Sequence, residues 1–473
     1  MNDKFTRFQS PLTTRYGSAE MLYNFSDENR FRAHRRIWIA LAEAERQLGL
    51  PISPAQIAEM KRFQDKVNYA RISQWEARTN HDIMAHIKAF GEQCPNAKPI
   101  IHLGATSALI TDNADLIIYK NAIGLIKARL AKTIKSLAGF VKKYKGMPCC
   151  GFTHFQPALL TTVGKRACMW LQDLVSDFHD LEYLESNLKC LGAKGAIGTQ
   201  ASFLSLFSAE GGSASGGNAI KKTMLLDKIL ARKLGFDKTY PITGQVYQRK
   251  QDYRMLTVLS GIAQSCHKFS QDLRLLQGLG ELEEPFGREQ VGSSAMPYKR
   301  NPVLAERITS LARFVILLPN NLALTHAGQW LERSLDDSAN RRITIPEAFL
   351  ATDAILNTYN RIISGVTVYE DVIKRRVESE LPFMVTEEIL MKAAKLGGDR
   401  QELHHRIREH SMQVSKNLKA GGRNDLIERL KTDPAFARVI PHLKGLLEPK
   451  RYIGLAEKQV EEFLKQEVAK KIK

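Results

Sequence analysis

The sequence predicts an all-α protein built around a central bundle of long helices. Two segments carry apolar residues at a 3-4-4-3-4-3 spacing. The first runs through Ile123, Ile126, Leu130, Ile134, Leu137, Val141 and Tyr144; the second runs through Met255, Val258, Ile262, Cys266, Phe269, Leu273 and Leu276. That spacing is the seam of a helix packed along its length against neighbours. Three further seams pass through Ala167, Trp170, Leu174, Phe178, Leu181 and Leu188, then Leu304, Ile308, Leu311, Val315, Leu318 and Leu322, then Ala348, Ala351, Ile355, Tyr359, Ile362 and Val366. Strand-type alternation with hairpin turns dominates nowhere. Several long helices in one chain imply antiparallel neighbours in a bundle.

Ahead of the bundle, Phe31–Leu48 reads as a helix that stops before Gly49 and Pro51, and a second helix is expected near Ser73–Phe90. The first bundle helix is expected to begin near Asp112. Short strands fit the Pro148–Gln156 stretch. Pro346 sits where the fifth bundle helix is expected to start, a position at which proline sacrifices no hydrogen bond. From about residue 369 the chain is helical and charged, broken by Pro382, Gly397-Gly398, Gly421-Gly422 and Pro441. These shifts suggest an N-terminal helical domain (1–111), a central bundle domain (112–368) and a C-terminal helical domain (369–473). The Gly/Ser-rich stretch 208–218 reads as a solvated connection and receives no function.

The 473 residues are 44% hydrophobic and 25% charged, as in globular proteins. No apolar run is expected to reach the ~18 residues of a membrane span. Met1–Ser10 lacks the apolar core of a secretory signal. A cytoplasmic protein with no membrane partner is therefore expected. The six cysteines are scattered without a C-x-x-C pair and read as reduced structural thiols. The net charge of +19 fits nucleic acid and anionic small molecules equally well, but the basic residues are spread along the chain and no DNA- or RNA-binding motif accompanies them. Phosphate-loop, dinucleotide-binding and H-E-x-x-H motifs are absent from the sequence. His81 and His86 lie five residues apart, about 140° around a helix, which is poor geometry for a metal. No metal and no cofactor are expected.

Five polar segments stand out against the apolar seams. The most informative is Gly292-Ser-Ser-Ala-Met-Pro-Tyr-Lys-Arg-Asn-Pro302, with Gly287 just before it. Glycines, two hydroxyls, the cation Lys299, the amide Asn301 and a proline suited to a helix's first turn fit a mobile loop over an anion; an ordinary surface loop has the same composition. His102-Leu-Gly-Ala-Thr-Ser107 offers hydroxyls at Thr106 and Ser107 ahead of a helix, as an anion site or as a plain cap. Gly151-Phe-Thr-His-Phe-Gln-Pro157 places His154 between aromatics, either as a proton carrier or as a buried, satisfied imidazole. His81-Asp82 can contact a phosphate or carboxylate, or lie on a solvated face. Leu331–Arg342 is dense in charge, and Arg333, Ser338, Arg341 and Arg342 can grip a phosphate or form a solvated face.

Together these segments resemble the fumarase/aspartase lyase superfamily, whose three motif regions appear here in order as HLGATS, GFTHFQPA and GSSAMPYKRNP. SPLTTRYGS (10–18), NHDIMAHI (80–87), ITGQVYQRK (242–250) and LERSLDDSANRR (331–342) narrow the resemblance to the adenylosuccinate lyase family, in the branch that includes the animal enzymes. The resemblance covers nearly the whole chain. It implies a three-domain fumarase/aspartase-like fold, a homotetramer whose active sites draw on several subunits, and no cofactor. It also implies β-elimination of fumarate from adenylosuccinate, giving AMP, and from the related succinyl-carboxamide ribotide.

The resemblance assigns Ser293 as general base and His154 as general acid, with His81 supporting catalysis and Lys299, Asn301 and Glu306 around the succinyl carboxylates and the loop. It places Arg15, Tyr16, Arg307, Ser338 and Arg342 on the nucleotide, and Asp82, Thr106, Ser107, Thr153, Gln245 and Arg333 as further substrate contacts. The chain departs from the family at Asn80, where close relatives carry arginine. Two other outcomes fit a superfamily resemblance: another lyase, such as one acting on argininosuccinate, and a catalytically silent helical scaffold.

Overall fold

A computed structural model describes residues 6–208 and 217–469, so most of the Gly/Ser-rich stretch lies outside the described residues. The fold is all-α. Among the described residues, only two small two-stranded sheets interrupt the helices: an antiparallel hairpin of Pro148–Thr153 with Gln156–Thr162, and a short pair of Leu282–Glu283 with Thr367–Val368. The five seams form the long helices Ser107–Lys143, Val163–Asn187, Lys250–Gly278, Val303–Leu317 with its continuation Pro319–Ala327, and Asp337–Gly365. Ile123, Ile126, Leu130, Ile134, Leu137 and Val141 are all fully buried, so the periodicity marks the packed face.

The chain forms two compact units. The first comprises Met1–Leu130, Asp177–Gln264 and Ser310–Leu356; the second comprises Ala131–Ser176, Ser265–Thr309 and Asn357–Lys473. In the first unit, helix Asp27–Gln47 starts at Ser26, whose hydroxyl accepts from Asn29 N, and stops before Gly49 at φ +97°. Ser53 and Gln56 form a reciprocal capping box on the next helix. In the second unit, Cys150 and Leu160 of the hairpin pack into a core with Val377, Leu381, Ile389, Leu403 and Leu430 of the C-terminal helices. Phe269 stacks on Tyr359 with centroids 3.8 Å apart.

Four expectations need correction. The helix expected near Ser73–Phe90 is two helices, Tyr69–Thr79 and Asp82–Gln93, because Asn80 adopts a left-handed conformation (φ 47°) and ends the first. A short polar side chain tolerates that conformation better than most non-glycine residues do. The first bundle helix begins at Ser107 rather than near Asp112, which lies buried inside it. Pro346 lies inside helix Asp337–Gly365, because the charged segment ahead of it is already helical. Finally, Val303–Ala327 is long and apolar enough to cross a membrane by length and composition. It nevertheless carries Glu306, Arg307 and Arg313, is broken at Pro319, and buries Leu304, Ile308, Ala312, Val315 and Leu322, as a core helix does.

Candidate active site

The first unit holds a cavity of about 1970 Å³. Nine of the sequence-predicted residues line it: His81, Asp82, Thr106, Ser107, Gln245, Arg333, Ser338, Arg341 and Arg342. Three helices begin at its wall, namely Asp82–Gln93, Ser107–Lys143 and Asp337–Gly365. Helix N-termini carry unpaired N–H groups and partial positive charge, so their convergence suits an anionic ligand. His81 is itself the N-cap of the first of these, its Nδ1 accepting from Met84 N at 3.3 Å. The turn leading to Ser107 passes through His102 at φ 73° and Gly104 at φ +63°, where a Cβ would meet Phe203 and Leu206 at 2.8 Å. Only glycine fits that turn.

Arg333 and Gln245 are fastened together. Arg333 Nη1 donates to Gln245 Oε1 at 2.7 Å, Gln245 N donates to the Glu332 carbonyl at 3.1 Å, and Gln245 Nε2 donates to the Ala196 carbonyl at 3.0 Å. Arg342, exposed, pairs with Asp82 at 3.2 Å. Leu331 takes φ 45° while 97% exposed on the cavity wall, a strained conformation for a bulky residue. Asn80 also lines the cavity.

Beneath these groups lies a buried charge network that the sequence did not reveal. Arg249 donates bidentately to Asp112, both bonds at 3.0 Å, and through Nε to Asp337 at 2.6 Å. Arg341 donates through Nε to Asp252 at 2.7 Å and through Nη2 to Tyr247 Oη at 2.6 Å; Tyr247 Oη donates on to Asp252 at 2.6 Å. Arg341 Nη2 also reaches Asp115 at 3.3 Å, and Arg30 pairs with the same carboxylate at 3.1 Å. Arg341 is therefore committed to structure and does not grip a phosphate as its sequence context suggested. Burial pushes the Asp112 carboxyl up while Arg249 and Arg341 pull it down. The wall above carries two imidazoles held neutral: burial keeps His34 well below the usual histidine range and brings His86 down to about 4; on the turn leading to Ser107, burial likewise brings His102 down to about 4.

Arg15 and Tyr16 also lie in the first unit, on the short helix Leu12–Tyr16; Thr13 of that helix and Ser10 just before it line the cavity, while Arg15 is exposed and Tyr16 half-buried. The remaining candidates, Thr153, His154, Ser293, Lys299, Asn301, Glu306 and Arg307, belong to the second unit. Thr153 pairs with Gln156 at the hairpin tip, leaving His154 (φ 53°) and Phe155 (φ 59°) as the two turn residues. Positive φ at both central positions is what a two-residue hairpin of this kind demands, and it normally selects Asn-Gly. A His-Phe pair held there is strained and presents the imidazole to solvent, a feature typical of functional sites.

The Ser293 hydroxyl accepts backbone N–H bonds from Met296 at 3.1 Å and Ala295 at 3.4 Å. Asn301 Nδ2 donates to the Gly292 carbonyl at 2.9 Å, and a Cβ on Gly292 would lie 2.0 Å from the Lys299 carbonyl oxygen, so the loop folds back on itself. Lys299 is exposed; Glu306 and Arg307 lie in the first turns of helix Val303–Leu317. Glu284 caps that helix from 20 residues upstream. Its two carboxylate oxygens accept from Leu304 N and Ala305 N, each at 2.9 Å. Burial raises the Glu284 carboxyl against the lowering effect of those N–H bonds. Among the described residues, no group of three or more His, Cys, Asp or Glu side chains is placed to hold a metal.

Residues 17–317 match the family described as lyase, and residues 382–463 match adenylosuccinate lyase C-terminus. The chain is 47% identical over 468 residues to adenylosuccinate lyase of Saccharomyces cerevisiae, covering 98% of this chain and 95% of the relative. It is 44% identical over 469 residues to the Schistosoma mansoni adenylosuccinate lyase, covering 98% and 96%. Among solved structures, 3-carboxy-cis,cis-muconate lactonizing enzyme from Pseudomonas putida superposes with a TM-score of 0.81 at 24% identity, covering 96% of this chain and 98% of that one. A fumarate lyase from Mesorhizobium sp. BNC1 gives 0.78 at 23% identity, covering 95% and 98%. At those identities the two structures establish the fold alone. With two family matches and near-complete coverage by relatives of that name, the chain belongs to the adenylosuccinate lyase family.

Proposed function

We propose that this chain is a cytoplasmic adenylosuccinate lyase that eliminates fumarate from adenylosuccinate, leaving AMP, and from the succinyl-carboxamide ribotide of purine synthesis. The observation that carries this reading is the convergence of three helix N-termini with Arg333, Ser338 and Arg342 on one cavity. A substrate with one phosphate and two carboxylates needs such concentrated positive potential.

In the elimination, a proton leaves the succinyl carbon next to a carboxylate and the C–N bond breaks. Negative charge builds on a carboxylate that is already anionic, so the site must supply preorganised donors. Ser293 takes the proton. A serine is a weak base unless its alkoxide is stabilised, and the N–H groups of Ala295 and Met296 aimed at its Oγ, with Lys299 nearby in the loop, support that role. His154 protonates the departing nitrogen as general acid. His81, Asp82, Thr106, Ser107, Gln245, Arg15, Tyr16 and Thr153 hold the substrate; Asn301, Glu306 and Arg307 complete the succinyl and nucleotide contacts.

The active form is a homotetramer in which the cavity of one copy is completed by groups from other copies. Two features support this: the cavity is lined by the first unit alone, and apolar side chains on the bundle helices stand exposed, among them Met169, Tyr183, Leu275, Leu317 and Leu324. Incubation with each succinyl substrate, followed by ultraviolet absorbance and fumarate detection, tests the activity. Loss of the substrate's absorbance with stoichiometric fumarate is expected, and no fumarate from either substrate would reject it. Retention on RNA or DNA is not expected even at low salt.

A further inference from the structure

Both stems of the Ser293 loop meet at a single side chain. Gln277 sits at the end of helix Lys250–Gly278, half-buried. Its Oε1 accepts from Glu284 N at 3.2 Å, on the stem entering the loop, and its Nε2 donates to the Arg300 carbonyl at 3.1 Å, on the stem leaving it. The partners fix the amide's orientation, since a backbone N–H only donates and a carbonyl only accepts. A second tie lies alongside: Arg300 pairs with Glu283 at 2.9 Å and its guanidinium lies over the Phe286 ring at 5.1 Å. Glu284, held by Gln277 through its N–H, also caps helix Val303–Leu317 with its carboxylate. One end of the loop, the helix that follows it and the other end are thus linked through adjacent groups.

We propose that Gln277 is a positioning residue for the elimination, a clasp that fixes the separation of the loop's stems so that Ser293 and its two N–H donors move as one body. The proposal rests on the reading of Ser293 as the base. Closing a loop whose ends are already tied removes far fewer conformations than closing one with free ends. A displacement of about 1 Å at a reacting group can cost about a hundredfold in rate, so stem geometry matters at a distance. Glutamine has the two functions the clasp needs on one planar group. Glutamate keeps the acceptor for Glu284 N but sets a carboxylate oxygen against the Arg300 carbonyl. Methionine keeps the shape and loses both bonds.

The test compares Gln277→Met and Gln277→Glu with Ser293→Ala in the full chain. It measures kcat and KM on adenylosuccinate, amide hydrogen exchange, and thermal unfolding. Gln277→Met is expected to lower kcat about 10- to 100-fold with KM within about threefold. Gln277→Glu should fall between it and the parent. Exchange should rise at Glu284 and across 287–299, while helix Lys250–Gly278 keeps its protection and the melting temperature stays within a few degrees. Parental kcat and exchange in Gln277→Met would overturn the clasp. So would a kcat loss that came with exposure of the helix or a large fall in melting temperature, since that would mark a merely structural residue. Normal turnover by Ser293→Ala would instead remove the base and leave the exchange result to judge the clasp alone.

Discussion

The cavity of the first unit and the Ser293 loop of the second are built on opposite plans. The cavity floor is a set of buried charges: Arg249 and Arg341, 2% and 6% exposed, are satisfied by four aspartates and two tyrosines before any ligand arrives. The loop, by contrast, presents Ser294, Lys299 and Tyr298 to solvent and is fastened at its stems. A rigid network suits recognition, because donors already in place need no reorganisation when charge is bound. A tethered loop suits chemistry that requires water to be excluded only after substrate has entered. The hairpin tip sides with the loop: His154 is exposed on a turn that its own φ strains.

The sharpest way to break that contrast is Ser293→Ala. Turnover is expected to fall by about a thousandfold or more while adenylosuccinate still binds, as titration calorimetry would show; near-normal turnover removes Ser293 as base. His154→Gln is expected to lower kcat by about 10²–10⁴-fold with the natural leaving group, again with little change in binding. On the cavity side, Arg249→Met leaves Asp112 and Asp337 buried without their cation and should destabilise the fold by about 3–5 kcal/mol in chemical denaturation. Asp112 then holds a proton more readily, so this loss should shrink as pH falls.

A smaller effect of opposite sign is expected at Glu45, which is fully buried without a hydrogen-bond partner and whose carboxyl burial pushes up to about 9. Below about pH 4.5 that carboxyl is neutral in both states. As pH rises toward 9 the unfolded chain ionises first and stability is lost. Glu45→Gln should therefore stabilise the protein at pH 7 by about 2–3 kcal/mol, an advantage that vanishes in acid denaturation series.

The parts legible in the sequence were those with local signals. The helix seams appear as apolar periodicity, and the three motif segments appear as clusters of polar residues between seams. The break at Asn80 left no such trace, because polar residues flank it on both sides and only the backbone angle separates the two helices. Arg249 reads as one more basic residue in Tyr-Gln-Arg-Lys until the fold brings Asp112, 137 positions away, against it. Glu284 was invisible as a helix cap for the same reason: capping residues are sought next to the first turn, and this one arrives from 20 positions upstream. Pairings distant in sequence carry no periodicity, so buried polar networks are found only by folding the chain.

We propose that cavity and loop groups from different copies complete one active site. Mixing two inactive variants, Arg342→Ala and Ser293→Ala, under conditions that exchange subunits tests it directly. In mixed tetramers, roughly a quarter of sites would combine an intact cavity with an intact loop, so fumarate release should return to about that fraction of the parental rate. A mixture that stays as inactive as either variant alone, with exchange verified by mass, would contradict it.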